Sequence, residues 1–193
     1  MRIVVAVATR HGATREIAEQ IAVSLRGELA KTGTPAEVVV ADAGGVTSFD
    51  GCDAAVLGSA VYIGHWLEPA RELVRAHQDE LSRIPVWLFS SGPVGERSKP
   101  GEEPVDVTDV LARSGAKEHR LFGGRLDRSL LRFPERAMVA ALRVRDGDNR
   151  DWPVIRAWGR AIARELSAGT AGDLRPSSSG NPAASPRRAP GVV

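Results

Sequence analysis

The chain opens with an unbroken apolar run, residues 3–8, that passes through Thr9, Arg10, His11, Gly12, Ala13 and Thr14 directly into helically spaced Ile17, Ile21, Leu25 and Leu29. A buried strand running through a glycine turn into an amphipathic helix strongly restricts the fold, because this is how a parallel βαβ unit begins. The turn also has a chemistry of its own. Glycine lets the main chain approach an oxyanion, threonine hydroxyls can donate to it, and the N–H groups of the helix start carry the positive end of the dipole. Neither the GxxxxGK[ST] of nucleotide triphosphatases nor the GxGxxG of dinucleotide sites is present, so the turn reads as a monophosphate cradle. The competing reading is a plain strand-to-helix turn capped by Thr14, with Glu16 or Glu19 in the first turn.

Four further apolar runs follow, at residues 36–41, 53–58, 84–90 and 121–126. Helical spacing separates them: Leu67, Ala70, Leu73, Val74 and Leu81 form one stripe, residues 105–113 a second helix, and Ile155, Trp158, Ile162 and Leu166 the inward face of a last helix over 154–166. This alternation predicts an α/β fold, a doubly wound five-stranded parallel sheet of order 2-1-3-4-5 with helices on both faces. Ligands of such sheets lie beyond the carboxyl ends of the strands, at the switch point between the first and third. Three loops converge there. They are the Thr9 to Thr14 turn, then Ser59, Ala60, Val61, Tyr62, Ile63, Gly64 and His65 after the third strand, and Ser90, Ser91, Gly92 and Gly95 after the fourth. The second brings an aromatic face and the third hydroxyls and amides, a combination that suits a planar heterocycle with a phosphate tail.

At 193 residues and 42% hydrophobic content, the chain suits one domain, residues 1–168. Residues 169–193 are rich in Gly, Ser, Pro and Arg and are expected to be a disordered tail. The formal charge of +2 resides in that tail, where Arg175, Arg187 and Arg188 outnumber Asp173. A neutral domain makes nucleic acid a poor partner. Cys52 is the single cysteine, so internal disulfides and cysteine-based metal sites are excluded. With no apolar run near the ~20 residues of a membrane span, the expected location is cytoplasmic.

Thr9-Arg10-His11-Gly12-Ala13-Thr14-Arg15-Glu16-Ile17-Ala18 and Gly58-Ser59-Ala60-Val61-Tyr62-Ile63-Gly64-His65 resemble the flavodoxin superfamily, and within it the branch of menaquinone-dependent protoporphyrinogen IX dehydrogenases. The resemblance runs from Met1 to about Leu166. It implies a noncovalent FMN, its phosphate on Thr9, His11, Gly12, Ala13 and Thr14, with Arg10 a further cofactor-binding candidate, and its isoalloxazine between the other two loops. Arg10 and Arg15 could neutralise the phosphate or stay solvated. Tyr62 is the candidate for stacking on the ring, with Trp66 as an alternative that would otherwise pack beneath its helix. No side chain reads as an obligatory acid or base, and no metal site is expected.

Between Arg120 and Arg150, the arginines Arg125, Arg128, Arg132, Arg136, Arg143 and Arg145 alternate with Leu130, Leu131, Phe133, Met138, Val139, Leu142 and Val144. A basic amphipathic helix is expected there. Its partner is open: a membrane surface on the inner face of the cell membrane, the propionates of a tetrapyrrole, or only the protein's own apolar ground. Two function classes follow. One is an FMN-dependent dehydrogenase passing reducing equivalents from a small reductant, a tetrapyrrole in the resemblance, to a quinone. The other is an electron carrier reacting only with protein partners; a flavin-free interaction domain is a third.

Overall fold

Strand β1 (Arg2–Ala8) is buried at every residue after Arg2, and its two faces feed two separate cores. Ile3, Val5 and Val7 face one, and Val4, Ala6 and Ala8 the other. The strand lies between β2 (Glu37–Asp42) and β3 (Ala54–Tyr62), parallel to both, with Ile3 opposite Val38 and Ala54. The two-residue β4 (His65–Trp66) folds back antiparallel on β3. Parallel β5 (Val86–Gly92) and β6 (Glu118–Gly123) then complete the sheet in the order β2-β1-β3-β5-β6, so the five long strands follow the expected doubly wound path. The computed structural model describes residues 1–92, 107–126 and 147–173, with side chains through residue 169.

Helices α1 (Ala13–Lys31) and α5 (Trp152–Asp173) cover the face carrying Trp87 and Phe89. The opposite face, with Val86 and Leu88, is covered by α2 (Glu68–Ala76), the short α3 (Gln78–Leu81) and α4 (Thr108–Ser114). Phe89, Phe122 and Trp158 meet edge-on or tilted, with centroids 5.5–6.2 Å apart, and lock α5 onto the sheet. An antiparallel ribbon, β7 (Arg125–Leu126) with β8 (Gly147–Asp148), stands beside the sheet.

Several boundaries differ from the sequence expectation. The fifth strand occupies Glu118–Gly123 rather than 121–126, because at a sheet edge polar Glu118, His119 and Arg120 can reach solvent and the apolar run understates the strand. The stripe ending in Leu81 breaks at His77, whose φ of −117° ends α2 before α3 begins. Residues 169–173, read as tail, continue α5. Arg125, placed on an amphipathic helix, is instead in strand β7; residues 127–146 lie outside the described residues, as do 174–193.

Glu80 pins the segment before β3. Its carboxylate accepts from the Phe49 amide at 2.5 Å and the Ser48 hydroxyl at 2.9 Å, and lies 2.8 Å from His77 Nδ1. The His77 contact, then the Phe49 amide and the Ser48 hydroxyl, lower its pKa to about 2. Among the described residues no helix is long and apolar enough to cross a membrane.

Candidate functional site

The turn after β1 is built around Gly12, which adopts φ +83° with nothing within 4 Å of the position a Cβ would occupy. Its amide donates to Thr9 Oγ1 at 3.1 Å, and its carbonyl accepts the first helical bond from the Glu16 amide at 3.0 Å. The amides of Ala13, Thr14 and Arg15 therefore precede the first helical bond and face the open side of the turn. An open left-handed glycine followed by three helix-start amides fits a phosphate monoester.

Side chains in this turn have more particular roles than expected. Thr14 is not the helix cap; Gly12 holds that position, and Thr14 is 2% exposed in the first turn. The Thr9 hydroxyl shapes the turn by accepting from Gly12. Arg15 pairs with Asp42 on β2, which ties its charge to the neighbouring strand. The guanidinium carbon of Arg10 lies 4.4 Å from the ring centroid of Tyr62 and so joins the first loop to the second. His11 is exposed beside it.

The second loop is a tight hairpin. Tyr62 pairs with His65 and Val61 with Trp66, leaving Ile63 and Gly64 at the tip with φ of +52° and +75°, the pattern of a type I′ turn. Ile63 is β-branched, 70% exposed and left-handed, a conformation costing about 1–2 kcal/mol. Ala60, Val61, Tyr62 and Gly64 are half-buried and His65 exposed. Trp66 is buried on the α2 side, as its alternative reading had it.

Ser59 and Ser90 lie within β3 and β5 rather than in loops, and both are fully buried. The Ser59 hydroxyl donates to the Ala60 carbonyl at 2.8 Å and accepts from the Leu67 amide at 2.9 Å. Ser90 Oγ accepts from the Trp66 indole at 2.7 Å and lies 2.8 Å from His119 Nε2. These hydroxyls thus brace the hairpin from beneath. Ser91 and Gly92 are also buried strand residues, and the Gly92 carbonyl accepts from the Gly124 amide at 2.9 Å. Gly95 lies outside the described residues.

One cluster beside the first turn escapes sequence reading altogether. Arg150, its side chain 3% exposed, binds both carboxylate oxygens of Asp148 at 2.7 and 2.6 Å and Glu16 at 2.7 Å, while Arg125 reaches Glu16 at 3.1 Å. The Arg150 hydrogen bonds hold the Asp148 carboxyl below the usual carboxylate range, and Asp148 in turn raises the Arg150 pKa against its burial. Glu16 is visible in the sequence as a first-turn acid, but nothing in the spacing pairs it with residues more than a hundred positions away.

Comparison with known proteins agrees with this fold. By fold, the chain is similar to a flavodoxin from the domain Archaea, with TM-score 0.55 and 15% identity over 86% of this chain and 99% of that one. A rubredoxin oxygen:oxidoreductase from Desulfovibrio gigas aligns at TM-score 0.57 and 13% identity over 88% of this chain and 37% of that one. An oxidoreductase from Corynebacterium diphtheriae aligns at TM-score 0.56 and 12% identity, covering 88% and 98%. No curated protein matches the sequence. The flavodoxin domain family matches residues 4–152, which span both turns and the ribbon, and the chain belongs to that FMN-binding redox family.

Proposed function

We propose that the protein is an FMN-dependent dehydrogenase that oxidises a small reductant, tetrapyrrole in class, and reduces a quinone. The observation carrying this reading is the rim of the site: exposed Arg10 lies 4.4 Å over the Tyr62 ring, beside a hairpin whose tip carries a 70% exposed Ile63, and Glu16, the acid of the first turn, is held by Arg125 and Arg150. A carrier that docks basic protein partners needs an acidic face, whereas an apolar tip beside an arginine suits a flat molecule bearing carboxylates.

In this reading the amides of Ala13 to Arg15 hold the FMN phosphate, and the turn closed by Thr9 orients them. Tyr62 offers its ring on the isoalloxazine side, with Arg10 stacked on it, and the hairpin braced by Ser59 and Ser90 keeps that ring in place. Ile63 excludes water at the rim. Bound FMN supplies the transfer of electrons and hydride; the chain supplies binding and electrostatics. Two electrons and two protons leave the donor and appear on the quinone. A lipid-dissolved quinone would place the exchange at the inner face of the cell membrane, and binding of the full chain to anionic vesicles at low salt tests that contact.

The decisive experiment mixes the FMN-loaded protein anaerobically with protoporphyrinogen and then with a menaquinone analogue. Loss of flavin absorbance with the first and its return with the second supports the reading. Retained flavin that responds to neither overturns it.

A further inference from the structure

We infer that Glu16, Arg125, Asp148 and Arg150 set how strongly the helix start of α1 holds a phosphate, acting as positioning residues behind it rather than as ligands. The inference rests on FMN occupying the first turn.

Geometry comes first. One Nη of Arg150 meets both Glu16 at 2.7 Å and the Ala13 carbonyl at 3.4 Å, while the other Nη and Nε are taken by Asp148. Ala13 and Glu16 bracket the amides on which a phosphate rests, so Arg150 grips that turn from the protein side. Its own position is fixed by stacking 4.4 Å over the Trp152 ring at the start of α5, and by the bidentate hold of Asp148 on β8. The first turn is therefore anchored to the ribbon and to α5 through a single buried guanidinium.

Charge then gives the cluster a direction. A carboxylate at position 16 lies in the first turn of the helix, where it competes with a bound phosphate for the positive end of the dipole and repels it. Two arginines against Glu16 and Asp148 leave the cluster formally neutral. Removing the Arg150 cation leaves two carboxylates facing one arginine, which weakens phosphate binding. Neutralising Glu16 leaves two arginines facing one carboxylate, which strengthens it. A cluster that merely held the fold together would weaken binding in both variants.

The test titrates full-length apoprotein with FMN and with riboflavin, following flavin fluorescence, and takes the ratio of the two dissociation constants as the measure of the phosphate contact. Arg150→Met should cut the preference for FMN about tenfold, and Glu16→Gln should raise it about threefold. Because riboflavin serves as the internal reference, a fall in overall stability moves both ligands together, and Glu16→Gln, with its amide still able to accept from Arg150, keeps the test open should Arg150→Met not fold. Shifts of the same sign in both variants, or ratios within about twofold of a wild type that prefers FMN, overturn the inference. A wild type that binds both ligands equally overturns the FMN assignment of this turn, and the inference with it.

Discussion

At residue 12 the chain turns through φ +83° with a glycine, and at residue 63 through φ +52° with an isoleucine. Both turns stand at the carboxyl edge of the sheet and both flank the candidate flavin site. In the first, the residue type suits the conformation, and the hydrogen bonds from the Gly12 amide to Thr9 and from the Glu16 amide to the Gly12 carbonyl close the turn on either side. In the second, a side chain that strongly disfavours the left-handed region is kept there and left 70% exposed. The first turn is optimised for its own geometry. The second gives up local stability to present an apolar surface, which is the pattern expected where a residue serves a ligand rather than the fold.

Gly12→Val should break the first side of this comparison with the largest effect. A β-branched residue at that φ strains the turn and fills the cradle, and FMN affinity measured by fluorescence titration should fall about 100-fold. Ile63→Asn sharpens the second side. Asn-Gly suits a type I′ turn, so urea unfolding of the apoprotein should show a gain of about 1 kcal/mol, while FMN binding weakens about threefold through lost apolar contact. Opposite signs for stability and affinity are the signature; a loss of both would mean that Ile63 is a packing residue. Tyr62→Leu removes the Arg10 stack that couples the two turns and should lower stability by about 0.5 kcal/mol, with FMN and riboflavin weakened to the same degree.

Glu80 has the smallest effect on flavin binding and serves as a reference outside both turns. Its folded pKa is depressed from 4.5 to about 2, so its contribution to stability is present above pH 4.5 and is lost as pH falls toward 2. Glu80→Gln should flatten thermal melting across that window without altering the preference for FMN over riboflavin.

Much of the fold is legible in the sequence because a strand covered on both faces must be apolar at nearly every position, as β1 is from Ile3 to Ala8. Edge strands do not obey that constraint, and the polar opening of β6 is misplaced for that reason. The first turn is legible since its requirement, a glycine between a strand and a helix, is local. Ser59 and Ser90 are found at the right edge of the sheet, but the bonds their hydroxyls make beneath the hairpin are decided by the return of Trp66, which no periodicity announces. Arg150 is lost among many arginines. Its partners Glu16 and Ala13 lie at the other end of the chain, and only the fold brings α1 against the ribbon.

The ribbon has a consequence for how such a chain can diversify. Leu126 pairs with Gly147, so two positions well separated in sequence are held side by side at the edge of the domain. Wherever a paired ribbon of this kind closes a loop, each doubling of loop length costs only about 0.6 kcal/mol in closure entropy. An insertion at such a ribbon is therefore tolerated at little thermodynamic cost, with the sheet and both turns untouched.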